Sequence, residues 1–178
     1  MGTDPTANCR QRLCVFGAGN CNDIDLTQLL RRFSTITLVD LDESAMRAGA
    51  CRQDVADNPA IDFIGDFDVT GGLLDRIAPH SATKDLTQLI EFAARSDIAL
   101  KGNFDVVAST CVLSQIINMV TNTVHHENKQ FGELLLTIRA RHLRLIVELC
   151  SPGGRGLFIS DFVSSYTQNP RPGLLEAY

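Results

Sequence analysis

The chain has 178 residues, enough for one domain with a substantial core and too few for two. Its apolar share of 44% and charged share of 21% are ordinary for a globular protein, and a net charge of −5 argues against a nucleic-acid partner, which needs a basic face. No run has the length of a membrane span, the polar start M-G-T-D-P-T-A-N has no signal-peptide core, and Gly2 alone is no lipidation signal, so a cytoplasmic protein without a membrane partner is expected.

In chain order, the first strand is Leu13 to Phe16, short and apolar. Gly17 and Gly19 follow as a turn, and Asn22 and Asp23 are good N-caps for a helix through Ile24, Leu26, Leu29, Leu30 and Phe33. The unpaired amides of such a helix start favour an anionic group. The second strand, Ile36 to Val39, ends in Asp40. A glycine turn after one strand and an acid at the tip of the next is a nucleoside-binding arrangement. Asp42 then suits the N-cap of a short helix, Glu43 to Arg52.

Pro59 leads into a third strand, Ile61 to Phe67, and Gly71 and Gly72 break the chain after it. Residues 73–100 hold two helices split near Pro79. The fourth strand is Phe104 to Ala108, followed by a helix from Cys111 to Val120. A loop, His125 to Lys129, precedes a long helix from Phe131 to Cys150 that Pro152-Gly153-Gly154 ends; the fifth strand is Leu157 to Phe162. Arg139, Arg141 and Arg144 on the long helix read as a solvated face.

This alternation predicts α/β architecture: a single domain over 1–178 with an open, doubly wound, mainly parallel sheet of about five strands and helices on both faces. The long helix feeds a parallel strand, so it starts on the carboxyl edge of the sheet, where open sheets bind ligands. That places His125, His126 and Glu127 near the mouth of a site, although adjacent loop histidines are ordinarily just solvated. The six cysteines form no C-x-x-C pair; they read as reduced thiols, and no metal site is expected.

The dinucleotide fingerprint G-x-G-x-x-G has Asn22 in place of its third glycine, which weakens a nicotinamide or flavin reading. A ligand with a small carboxylate at the turn and a ribose at the acid fits better. The ordered pieces F-G-A-G-N-C-N-D, L-V-D-L-D, I-G-D-F-D, F-D-V-V-A-S, S-P-G-G-R and F-I-S-D-F together resemble the class I S-adenosylmethionine-dependent methyltransferases, with their Rossmann-like fold, over most of the chain.

The resemblance implies S-adenosylmethionine as cofactor and a set of contacts. Gly17, Ala18 and Gly19 would approach its methionine portion, with Asn20 and Asn22 as polar contacts. Asp40 would accept both ribose hydroxyls, because an ionised carboxylate has two acceptor oxygens. Leu41 would lie on the adenine face. At the third strand, around Phe67, either Asp66 or Asp68 would take the adenine amino group. Ser109 and Thr110 would line the space around the reactive methyl, and Ser114 and Gln115 would face cofactor or acceptor.

Two positions depart from the family pattern. Val15 stands where the family places an acid that holds the cofactor's amino group, and Cys21 stands where the turn commonly has glycine. The implied activity is methyl transfer to an unidentified acceptor. The alternatives are a non-catalytic nucleoside-binding or regulatory domain and an NAD-dependent oxidoreductase. Family members add leading helices and two further strands that are not visible here, so a fragment or a shortened relative is expected, with a homodimer or a missing segment closing the fifth-strand edge.

Overall fold

The computed structural model describes residues 11–77, 85–95, 98 and 100–160. Five strands form one sheet in the order β3-β2-β1-β4-β5, every neighbouring pair parallel: β1 Arg12–Phe16, β2 Thr35–Val39, β3 Ile61–Ile64, β4 Phe104–Thr110 and β5 Cys150–Ile159. This is the open, doubly wound, Rossmann-like order, with its reversal between β1 and β4. The central strands are apolar at successive positions because both of their faces are covered. On β1, Leu13 and Val15 join one core, whereas Cys14 and Phe16 join the other.

The first core is closed by α1 (Leu26–Leu30) and α2 (Glu43–Arg52) through Leu26, Met46 and Ala50. The second lies under α3 (Leu73–Ile77), α4 (Thr87–Arg95), α5 (Val112–Thr123) and α6 (Phe131–Leu149). Helices therefore cover both faces, as the alternation predicts. Among the described residues no helix is long and apolar enough to cross a membrane. Pro79 and Phe162 lie outside the described residues.

Several boundaries differ from the sequence reading. The first helix begins at Leu26, with Asp25 as its N-cap accepting the Gln28 N–H at 2.8 Å, so Asn22 and Asp23 lie in the loop before it. The helix start therefore lies further along the chain from Gly17 and Gly19 than the sequence reading puts it. The third strand stops at Ile64, because Asp66 takes a left-handed backbone (φ +52°) that ends pairing. The fourth runs two residues further, to Thr110.

The fifth strand is the largest difference. It starts directly after α6, and Pro152-Gly153-Gly154 lies inside it as an irregularity: Phe104 pairs with Cys150, but Val106 pairs with Arg155. The register break absorbs the proline and the left-handed Gly153 (φ +82°) without ending the strand. As an edge strand, β5 leaves Leu157, Phe158 and Ile159 exposed.

Candidate functional site

The site begins where β1 runs out. Gly17 has φ +73°, and a Cβ there would sit 2.5 Å from both the Thr110 carbonyl oxygen and Val112 Cγ2, so only glycine fits. The Gly17 N–H donates to the Val39 carbonyl at 3.0 Å, which ties the turn to the end of β2. One residue later, the Gly19 N–H donates to Asp40 Oδ2 at 2.9 Å, and the Asp42 N–H donates to Oδ1 at 3.2 Å. The glycine turn and the β2 acid are thus directly bonded.

Gly49 on α2 lets the turn sit close from below, since a Cβ there would lie 2.1 Å from the Asn20 carbonyl oxygen. Arg52 reaches up from the same helix and donates to the Asn20 carbonyl at 2.6 Å and to Asn22 Oδ1 at 3.0 Å. Cys21 beside it is buried, and that burial raises its thiol pKa above the ordinary value. Asp42 caps α2 by accepting the Ala45 N–H at 2.9 Å; the Ser44 hydroxyl and this amide hold its carboxyl below the usual range.

The third strand tip joins through backbone. The Phe67 N–H donates to the Asp40 carbonyl and the Asp66 N–H to the Leu41 carbonyl, each at 3.2 Å. Asp66 is exposed. Asp68 accepts the Thr70 N–H at 2.7 Å, the Thr70 hydroxyl at 2.6 Å and the Gly72 N–H at 2.7 Å, so its carboxylate shapes the turn it belongs to.

Between this turn and α5 lies a cleft on the carboxyl edge, open to solvent, with about 80 Å³ of room for water centres. Gly17, Asp40, Leu41, Phe67 and Asp68 line it, together with Gln115. Ala18, Gly19, Asn20, Asn22, Asp66, Ser109, Thr110 and Ser114 are not among its lining residues. The remaining wall is apolar, from Val39, Val69, Leu74, Val112, Ile116 and Met119, with Thr70 as one more polar group. Val112, Ile116 and Met119 recur at helical spacing, which reads as core in the sequence; only the fold turns part of that stripe to the cleft. Leu41 (60% exposed) and Met119 (50%) flank the mouth, two large apolar side chains left in solvent.

The β4 side is different. The Thr110 hydroxyl lies 2.9 Å from the Phe16 carbonyl and 2.7 Å from that of Gly17, locking β4 to the turn. Ser109 is fully buried beneath it, with Oγ 2.8 Å from His142 Nε2 on α6. Burial lowers the His142 pKa to about 4, so the ring is neutral. No sequence signal marks His142, which sits in an ordinary amphipathic helix. Val15 faces the α1–α2 core. His125, His126 and Glu127 are exposed and do not line the cleft. Arg141 pairs with Glu148 at 3.1 Å, and Arg139 and Arg144 are exposed.

No protein-family model matches the chain, and no curated protein does. Solved structures of similar architecture include an S-adenosylmethionine-dependent methyltransferase from Thiobacillus denitrificans in complex with S-adenosyl-L-homocysteine, at 15% identity and TM-score 0.46 over 84% of this chain and 41% of that one. Another is the S-adenosylmethionine-dependent methyltransferase from Agrobacterium tumefaciens, at 15% identity and TM-score 0.46 over 90% of this chain and 42% of that one. A third is PKMT2 from Rickettsia typhi with S-adenosylhomocysteine, at 15% identity and TM-score 0.42 over 83% of this chain and 20% of that one. The chain therefore spans less than half the length of each. Identities and scores this low are a likeness of architecture, so the functional reading rests on the cleft.

Proposed function

We propose that the cleft binds the adenosine portion of S-adenosylmethionine and that the chain is a methyltransferase domain. The observation that carries this is the 2.9 Å bond from the Gly19 N–H to Asp40 Oδ2. It fixes an acidic group beside a turn that only glycine can make, at the carboxyl edge of the sheet. Each Asp40 oxygen takes one backbone N–H and keeps acceptor capacity for a ribose hydroxyl. The groups present therefore fit a diol. Leu41 and Met119 would close on the faces of a flat base, and Asp68, which lines the cleft, is the better placed acid for its amino group.

Bound there, the cofactor would supply a sulfonium methyl for in-line displacement by an acceptor nucleophile. The chain's share is to hold the sugar at Asp40, shield the base with apolar side chains and keep the turn rigid through Thr110, because alignment supplies much of the rate in an in-line displacement.

Calorimetric titration with S-adenosylmethionine, S-adenosylhomocysteine and NAD tests the reading. Both sulfur ligands should bind and NAD should not; NAD binding alone would replace methyl transfer with oxidoreductase chemistry. A second reading, a nucleoside-binding domain without turnover, is favoured by Val15, whose place in the α1–α2 core leaves no carboxylate there for the cofactor's amino group. Binding of both sulfur ligands without conversion of S-adenosylmethionine to S-adenosylhomocysteine in the presence of candidate acceptors would support it. The reduced thiols of Cys14, Cys21, Cys51 and Cys150 favour a cytoplasmic location. Among the described residues β5 stands at an edge of the sheet, which supports a homodimer; light scattering that gives a monomer mass at all concentrations would reject it.

A further inference from the structure

His142 has no part in the binding scheme above, yet it makes the largest polar demand on the described core. It is 4% exposed. Its Nε2 faces Ser109 Oγ, and its Nδ1 is buried with no hydrogen-bond partner among the described residues. Buried polar atoms nearly always have a partner, either protein or ordered water. Beside the ring is a pocket bounded by Val69, Thr70, Leu73, Ile138, Arg141 and His142, among others, about as open to solvent as the cleft. It offers about 20 Å³ to water centres, and one water needs about 10–15 Å³ on that measure. Purely apolar cavities stay dry, but this pocket has Thr70, Arg141 and His142 in its wall.

We infer that the pocket is a hydration site, in which one ordered water bonds His142 Nδ1 and links α6 to the Thr70 turn. The neutral ring always has one bare and one protonated nitrogen, and water can serve either state at Nδ1 while the Ser109 hydroxyl serves the other at Nε2. Val69, Thr70 and Ile116 line both this pocket and the cleft, so the water stands directly behind the cleft wall. The Thr70 hydroxyl in turn donates to Asp68 Oδ1 at 2.6 Å. His142 is thus a positioning residue: it acts on the Asp68–Thr70 wall through the water and on the end of β4 through Ser109. The inference does not depend on what the cleft binds.

Nitrogen-15 NMR of the imidazole rings in the ligand-free protein at pH 7 tests it. The expected result is a neutral His142 whose Nδ1 shift is that of a hydrogen-bonded nitrogen, with cross-peaks from nearby side-chain protons to an ordered water. An unbonded Nδ1 shift with no water cross-peak overturns the inference. The variant His142→Phe keeps the ring's bulk and removes both nitrogens, and the water cross-peak should vanish from Thr70. Its persistence would show that His142 does not hold the water, and the positioning role would fall. His142→Asn, which retains a polar group near the Nδ1 position, should restore the cross-peak; failure to do so in a folded variant also counts against the inference.

Discussion

On the β1–β2 side of the cleft, Asp40 is half-buried and its oxygens take backbone N–H groups from Gly19 and Asp42, a few ångströms from solvent. On the β4–α6 side, Ser109 and His142 are buried in the core and bond each other, and one ring nitrogen has no partner among the described residues. The first arrangement leaves acceptor capacity facing the cleft, so it can exchange water for a ligand at little cost to the fold. The second is high-stakes, because a buried polar pair that loses a member leaves the other unsatisfied. Binding and rigidity are thus divided between the two walls, and substitutions should separate them.

The largest effect is expected where the walls meet. Gly17→Val forces a β-branched residue to φ +73° and drives its Cβ into Thr110 and Val112, so a loss of about 3 kcal/mol or more is expected, seen as a collapsed urea midpoint. A variant as stable as the parent would mean the turn can move, and the contrast between the walls would not hold.

On the buried side, the His142 pKa of about 4 in the fold lies below 6.5 in the unfolded chain. The unfolded chain therefore takes the proton first. The stability is fully present above pH 6.5 and is lost as pH falls from 6.5 through 4, by up to about 3 kcal/mol. Urea melts across that window should show this slope in the parent and its loss in His142→Phe. An unchanged slope would assign the acid sensitivity to other groups.

Asp40→Ala tests the open side. Affinity for S-adenosylhomocysteine should fall by about 1.5–3 kcal/mol for each ribose hydrogen bond lost, whereas the melting midpoint should move far less than in Gly17→Val. Equal affinity would remove Asp40 from the ligand site. The smallest effect belongs to a surface pair that does not line the cleft. Arg47→Ala breaks the exposed 2.7 Å bridge to Glu43 and the 4.5 Å contact over Phe63, and about 0.5 kcal/mol is expected from a melt. A much larger loss would show that the α2 surface supports the turn above it.

Much of the fold was legible because strand runs such as Leu13 to Phe16 are apolar at every position, which a sheet covered on both faces requires. The pairing of a glycine turn with Asp40 was legible too, since both stand at strand ends next to each other in a parallel sheet. The late start of α1 was not, because Asn22, Asp23 and Asp25 are all acceptable caps and the choice fell to the packing of Leu26 under the sheet. Pro152-Gly153-Gly154 reads locally as a stop, yet pairing with β4 carries the strand through it.

The sequence by itself determined which segments become strands and which acid stands beside the glycine turn, because periodicity and turn chemistry are local. Only the tertiary structure decided that Ser109 meets His142, 33 residues away, and that the stripe of α5 carrying Ile116 and Met119 turns partly to the cleft. Such contacts depend on how far α5 and α6 slide along the sheet before their side chains interlock, and that is set by packing across the whole layer.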